Sequence, residues 1–237
     1  MSWFDWKKKK YEWPVVSPKT GKLERRNNVP FKNTKQYRKN SFFDNFDSET
    51  LDLQWNFRRV PHKEDFFLVK GKDKNVLRIK AHSNRLENRK RASFIGFRQT
   101  ESDFNYEIKM YFDPKKDNTE AGAAIVQKDD NYISFTIIKK SAGFYLQVKQ
   151  QIQNEALKLV KELKLENFPE SIRLKIESKN NSYSYYYTDN SGVYKKLTET
   201  SSDLVLSKKY TGAYLGLYIT SNGQNSDEYA DFDYVRY

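Results

Sequence analysis

Four aspartates carry the clearest chemical potential in this 237-residue chain. Asp231 and Asp233 lie two apart in Tyr229–Tyr237, a spacing that puts both on one face of a β-strand. Like charges so placed need solvent, hydrogen-bond donors or a cation. Asp44 and Asp47, in Phe43-Asp-Asn-Phe-Asp47, present the same requirement near the other end of the chain. If the strands holding the two pairs run side by side, the four carboxylates converge. Calcium, which takes several oxygen ligands, is the cofactor such a cluster calls for. The competing reading leaves all four facing solvent at sheet edges.

Other chemistries lack parts. His62 and His82 are the only histidines, and neither sits in a Gly-x-Ser-x-Gly or His-Glu-x-x-His context, so both read as ordinary surface or strand residues. With no cysteine there is no thiol nucleophile, no thiolate metal site and no disulfide. The nine glycines are scattered singly, which excludes a phosphate-cradling loop. Glycoside hydrolysis needs only two carboxylates, yet among 31 Asp and Glu no spacing singles out a pair. Tyr183, Tyr185–Tyr187, Tyr214 and Tyr218 could stack on sugar rings, a role in competition with core packing.

The elements that must position these residues are strands. Tyr and Phe supply most of a 16% aromatic content, which suits pleated, half-buried surfaces. Ala213, Leu215, Leu217 and Ile219 alternate with Tyr214, Gly216, Tyr218 and Thr220, and the polar run Ser221–Glu228 turns the chain into a last strand. From Ser41 onward a dozen or more such segments recur with turn-rich connections. The segment 154–168 fits a helix by composition and a strand by context; the uninterrupted β-array around it favours strand. The expected fold class is all-β, a two-sheet antiparallel sandwich in residues 41–237.

Residues 1–40 differ in texture. They are poor in apolar residues, are punctuated by Pro14, Pro18 and Pro30, and hold +9 of the chain's net charge of +12. The basicity therefore belongs to an extended arm rather than to a folded face, and no nucleic acid is expected as partner. Trp13, Val15 and Val16 form an apolar island that reads as a strand in need of a partner surface. No run of 18 apolar residues and no signal-peptide pattern is visible. This reads as a cytoplasmic protein, or a periplasmic one if the chain is a fragment of a longer protein, and no membrane partner is expected.

Several motifs in order carry a family resemblance: Phe43-Asp-Asn-Phe-Asp47, Leu51-Asp-Leu-Gln-Trp55 with Arg58, Arg59 and Pro61, and Phe94-Ile-Gly-Phe-Arg-Gln99. Ala121 through Tyr132, Tyr210-Thr-Gly-Ala-Tyr-Leu-Gly216 and Ala230-Asp-Phe-Asp-Tyr234 continue the series. Together they resemble the C-terminal β-sandwich of family 43 glycoside hydrolases, the β-xylosidases and α-L-arabinofuranosidases. The segment Trp13-Pro-Val-Val16 is similar to the link that leaves the catalytic propeller there.

The resemblance implies a concanavalin A-like jelly roll. In that family the catalytic carboxylates lie on the propeller, so none is carried over to this chain, which is expected to be inactive alone. It implies an accessory domain of xylan degradation that packs on a propeller catalytic domain or subunit and helps to close its sugar pocket. Tyr210 would stand at the pocket rim, and Trp13, Val15 and Val16 would dock the partner. The alternative is a stand-alone carbohydrate-binding module for xylan or arabinoxylan. A plant cell-wall polysaccharide or xylo-oligosaccharide is the ligand class in either case.

Overall fold

The computed structural model describes residues 3–5, 10–12, 21–22, 40–70, 74–153, 155–206 and 212–237. The chain divides into two compact units, Met1–Lys39 and Asn40–Tyr237. In the first, β1 (Trp3–Asp5) pairs antiparallel with β2 (Lys10–Glu12), placing Phe4 opposite Tyr11.

The second unit begins with β3 (Phe43–Asp44), β4 (Asn56–Phe57), β5 (Phe66–Lys70), β6 (Asn75–Lys80), β7 (Ser93–Arg98) and β8 (Phe104–Tyr111). It continues with β9 (Glu120–Lys128), β10 (Asn131–Lys140), β11 (Gly143–Gln151), β12 (Lys158–Leu165), β13 (Ile172–Lys179), β14 (Ser182–Thr188) and β15 (Tyr194–Ser201). A single turn of helix, α1 (Asp203–Leu206), precedes β16 (Tyr214–Thr220) and β17 (Tyr229–Arg236). Among the described residues these strands form a seven-stranded sheet, β12-β11-β10-β9-β16-β7-β4, and an eight-stranded one, β15-β14-β13-β8-β17-β6-β5 with β3 against β17. All the sheet pairings are antiparallel, giving the two-layer sandwich that the alternation predicts.

The two sheets differ in how their outer faces meet water. In the eight-stranded sheet, β8 and β13 alternate buried and accessible residues, as a sheet with one solvated face must. In the seven-stranded sheet nearly every residue of β9, β10 and β16 is buried. One side of these strands, with Ile125, Phe135, Leu215 and Leu217, joins the common core, where Phe135 meets Tyr185 edge-on at 5.4 Å. The other side packs Phe94, Ala124, Val126, Tyr132 and Tyr218 beneath Leu86 and Ala92, which come from the segment between β6 and β7.

Two interruptions of the alternation are bulges. The pairing of β17 with β8 slips between Phe232 and Tyr234, so Asp233 is the extra residue and Ala230, Phe232 and Val235 all reach the core. In β12 the register jumps at Val160, which absorbs the break that Lys161 makes in the apolar pattern; the segment is a strand, in agreement with its context. Tyr183 and Tyr185 are fully buried and Tyr218 nearly so, which assigns these members of the tyrosine stripes to packing.

Close approach of backbone demands glycine at one cross-strand pair. Gly96 and Gly216 lie opposite each other in β7 and β16, and the Phe94 ring covers them. A Cβ on Gly216 would stand 2.4 Å from the Ile95 carbonyl oxygen and 2.5 Å from the Phe94 ring. Gly216→Ala is therefore expected to lower unfolding stability by about 1–3 kcal/mol through overpacking, read as a reduced urea midpoint with unchanged slope.

Candidate functional site

The four predicted ligands of a cation do not gather. The first and last strands of the sandwich do run side by side, Asp44 opposite Val235. Each carboxylate nevertheless has its own partners, and among the described residues no three His, Asp or Glu side chains are close enough to hold a metal ion. Asp231 accepts both Nε and Nη2 of Arg78, at 2.7 and 2.8 Å. Those bonds raise the Arg78 pKa above its ordinary value. Asp233, buried on the bulge, lies 2.5 Å from Lys74 Nζ and 2.8 Å from Lys109 Nζ. The requirement for countercharge was real, and side-chain cations from β8 and the start of β6 meet it.

Asp44 does structural work at the entry to the sandwich. Its Oδ2 accepts Trp55 Nε1 at 2.7 Å and its Oδ1 accepts the Phe46 amide at 2.8 Å. That bond holds Phe46 in a left-handed conformation, φ 58°, with its ring stacked on Trp55. Asp47 is exposed and takes a hydrogen bond from Asn45. Tyr210, Trp13, Val15 and Val16 lie outside the described residues.

His82 is half-buried in a β-bridge with Thr220, the strand setting that its sequence context allows. Its Nε2 sits 3.1 Å from Asp65 Oδ1 and 2.9 Å from Arg91 Nη2, while His62 stays exposed beside Glu64.

A cavity of about 280 Å³ opens where the middle strands of the seven-stranded sheet end. Its floor and walls are Asn56, Phe57, Arg58, Phe94, Val126–Asp129 and Tyr214, drawn from β4, β7, β9 and β16. The tight turn Asp129-Asp130 between β9 and β10 projects Asp129 across the exit of β4. There Asp129 pairs with Arg58 and accepts Arg59 Nη2 at 3.0 Å. Arg58 also donates to the Leu86 carbonyl, and Arg59 Nε to the Lys90 carbonyl at 3.3 Å, so the two arginines tie the covering segment to the strand end. Arg59 takes a left-handed φ of 66°, a strain the clamp must hold. Burial lowers the Arg58 pKa against the pull of Asp129. At the far wall, Arg98 donates to the Tyr214 hydroxyl at 3.2 Å and its guanidinium lies 5.5 Å from the Tyr214 ring centre.

Behind the cavity the same face carries buried polar side chains with specific partners. Buried Glu120 holds Lys149 and accepts Thr136 Oγ1 at 3.3 Å. Tyr132 donates to Glu87 at 2.6 Å, and burial, then that bond, pushes its phenol pKa well up. The site can stack on a ring and hydrogen-bond hydroxyls.

Sequence reasoning did not nominate this cavity, although its parts were in view. Arg58, Arg59, Phe94, Val126, Asp129 and Tyr214 all belong to motifs that carried the resemblance, and the fold brings those motif ends together. The signal was the pair of consecutive arginines leaving a strand, opposite an Asp-Asp turn.

The architecture is that of an antiparallel, two-sheet concanavalin A-like sandwich. Residues 43–237 match the family model of the beta-xylosidase C-terminal concanavalin A-like domain, and the chain belongs to that family. It is 25% identical over 227 residues to the xylosidase/arabinosidase of Butyrivibrio fibrisolvens, covering 94% of this chain and 43% of the relative. It is 25% identical over 195 residues to the non-reducing end alpha-L-arabinofuranosidase BoGH43B of Bacteroides ovatus, covering 81% of this chain and 36% of the relative. The chain thus spans less than half the length of these curated relatives. Among solved structures, the Bacteroides ovatus GH43B protein of a xyloglucan locus superposes with a TM-score of 0.80 at 23% identity, covering 99% of this chain and 45% of that one. The GH43 BlXynB protein of Bacillus licheniformis gives 0.73 at 22% identity, covering 89% and 41%.

Removing one partner of the clamp isolates its role. Asp129→Ala leaves the nine-tenths buried Arg58 side chain without its carboxylate and is expected to cost about 3 kcal/mol. Arg58→Met with Asp129→Ala should recover part of that loss, a non-additivity read from urea unfolding of the four proteins.

Proposed function

We propose that this chain is the non-catalytic accessory sandwich of a xylan-directed family 43 glycoside hydrolase, packing on a propeller catalytic domain or subunit and helping to close its sugar pocket. The observation that carries the reading is the cavity at the strand ends. It is lined by Tyr214, the first residue of β16, and the segment leading into that strand carries Tyr210. A rim of this kind offers an aromatic wall, an ordered guanidinium and a strained, clamped turn, all suited to a partner surface rather than to bond cleavage. The match over less than half of each curated relative fits a domain that works beside another. In this reading Tyr210 reaches the pocket rim, Trp13, Val15 and Val16 dock the partner, and a xylo-oligosaccharide is held between the two bodies.

Of the tyrosines that a stand-alone xylan-binding module would use, Tyr183, Tyr185 and Tyr218 are in the core, while Tyr186, Tyr187 and Tyr214 stay half-buried.

Aryl β-xyloside and aryl α-L-arabinofuranoside hydrolysis, assayed with this chain alone, with a separately produced family 43 propeller, and with both, tests the proposal. The chain alone should be inactive, and its addition should raise kcat/KM of the propeller at least tenfold, about 1.4 kcal/mol of transition-state stabilisation. Tyr210→Ala should reduce that gain while leaving the complex intact on gel filtration. Turnover by the isolated chain would overturn the non-catalytic assignment, and absence of any complex would overturn the pairing.

A further inference from the structure

The outer face of the eight-stranded sheet carries a row that the sequence scatters over nearly 200 positions. Register places Lys196 opposite Tyr186, Tyr186 opposite Lys175, Lys175 opposite Glu107, Glu107 opposite Arg236, and Arg236 opposite Phe43. One residue from each of six adjacent strands, β15, β14, β13, β8, β17 and β3, thus stands in a line across the sheet. At about 4.8 Å per strand the line is roughly 24 Å long.

The row runs cation, ring, cation, acid, cation, ring, with the first cation, Lys196, paired to Glu199 at 2.6 Å. Lys175 Nζ lies 4.5 Å from the Tyr186 ring centre and 4.6 Å from that of Tyr194. The Arg236 guanidinium lies 5.5 Å from the Phe43 ring centre and 5.7 Å from that of Tyr234. Glu107, the single acid in the line, accepts hydrogen bonds from the hydroxyls of both Tyr194 and Tyr234. Burial, then those bonds, raises the pKa of each phenol, so both remain donors. Glu107 is therefore engaged from two sides, and among the described residues neither Lys175 nor Arg236 has a carboxylate within 4.0 Å. The line is open to solvent: Phe43 is 55% exposed, and Lys196 and Arg236 are exposed too.

We propose that this row is a binding track for an acidic polysaccharide, a chain of pyranose rings bearing uronic-acid carboxylates, lying across the strands. A sugar ring offers a C–H face to an aromatic ring and its carboxylate to an adjacent cation, and the row sets Tyr186 beside Lys175 and Phe43 beside Arg236. A neutral glycan can only accept hydrogen bonds from Lys175 and Arg236 and brings no countercharge to them. A polyanion without rings makes no use of Tyr186 and Phe43. Cross-strand pairing alone accounts for Lys175 opposite Glu107, but not for two cations each held over aromatic faces rather than in an ion-pair contact with that acid. The track goes beyond the accessory role proposed above and does not depend on it, because it lies on the solvated outer face and needs no propeller.

Affinity electrophoresis of the full chain, without any propeller, in gels containing polygalacturonate, glucuronic-acid-substituted xylan, neutral arabinoxylan or polyglutamate tests the track. Retardation is expected in the two acidic glycans and not in arabinoxylan, with polyglutamate much weaker. Lys175→Met, Arg236→Gln and Tyr186→Leu should each weaken binding to the acidic glycans several-fold, and the triple variant should abolish it. Melting temperatures within a few degrees of the parent establish that the variants are folded. Because residues 1–40 carry +9, retardation that survives the triple variant would assign binding to the arm and overturn the proposal. Unchanged mobility in acidic glycans, equal retardation in arabinoxylan, or equal and variant-sensitive retardation in polyglutamate would overturn it as well.

Discussion

The middle strands of the seven-stranded sheet have water on neither face, and every polar group they carry has to be satisfied within the protein. The segment between β6 and β7 imposes this by laying Leu86 and Ala92 over Phe94, Ala124, Val126, Tyr132 and Tyr218. Glu120 then needs Lys149, Tyr132 needs Glu87, and Arg58 needs Asp129. Gly96 and Gly216 keep the backbone low enough for the Phe94 ring to cross them. The cavity at the strand ends lies where this cover meets the β9–β10 turn, so its shape is inherited from the second packing layer.

The eight-stranded sheet obeys the opposite condition. Its outer face is wet, and its charges can be placed by register alone. Asp231 and Asp233 find Arg78, Lys74 and Lys109 there, because a bulge at Asp233 turns both acids away from the core that Phe232 and Val235 fill, although Asp233 itself is buried. The two sheets thus divide the work: one is built to bury a polar surface beneath a cover, and the other keeps a charged aromatic surface open. An accessory role beside a catalytic domain is consistent with that division, since a covered face with one clamped rim and an open face with an ordered charge row can meet different partners.

The all-β class, the strand spacing and even the ambiguous segment around Lys161 could be read from the sequence; the last two strands form no hairpin, because β16 lies in the seven-stranded sheet and β17 crosses to the eight-stranded one. Period-2 patterning is a local consequence of burial on one face, and it survives in any stretch long enough to show it. The family could also be read there, because its motifs keep their order along the chain. The sequence likewise established that Asp231 and Asp233 share a face and need countercharge. Which countercharge was beyond it: Arg78 lies 153 residues from Asp231 along the chain, and only strand register brings them together. The clamp of Arg58 on Asp129 and the row from Lys196 to Phe43 have the same origin. Local pattern decides what each strand is; the pairing of strands distant in sequence decides which side chains meet, and a one-residue bulge is enough to change the answer.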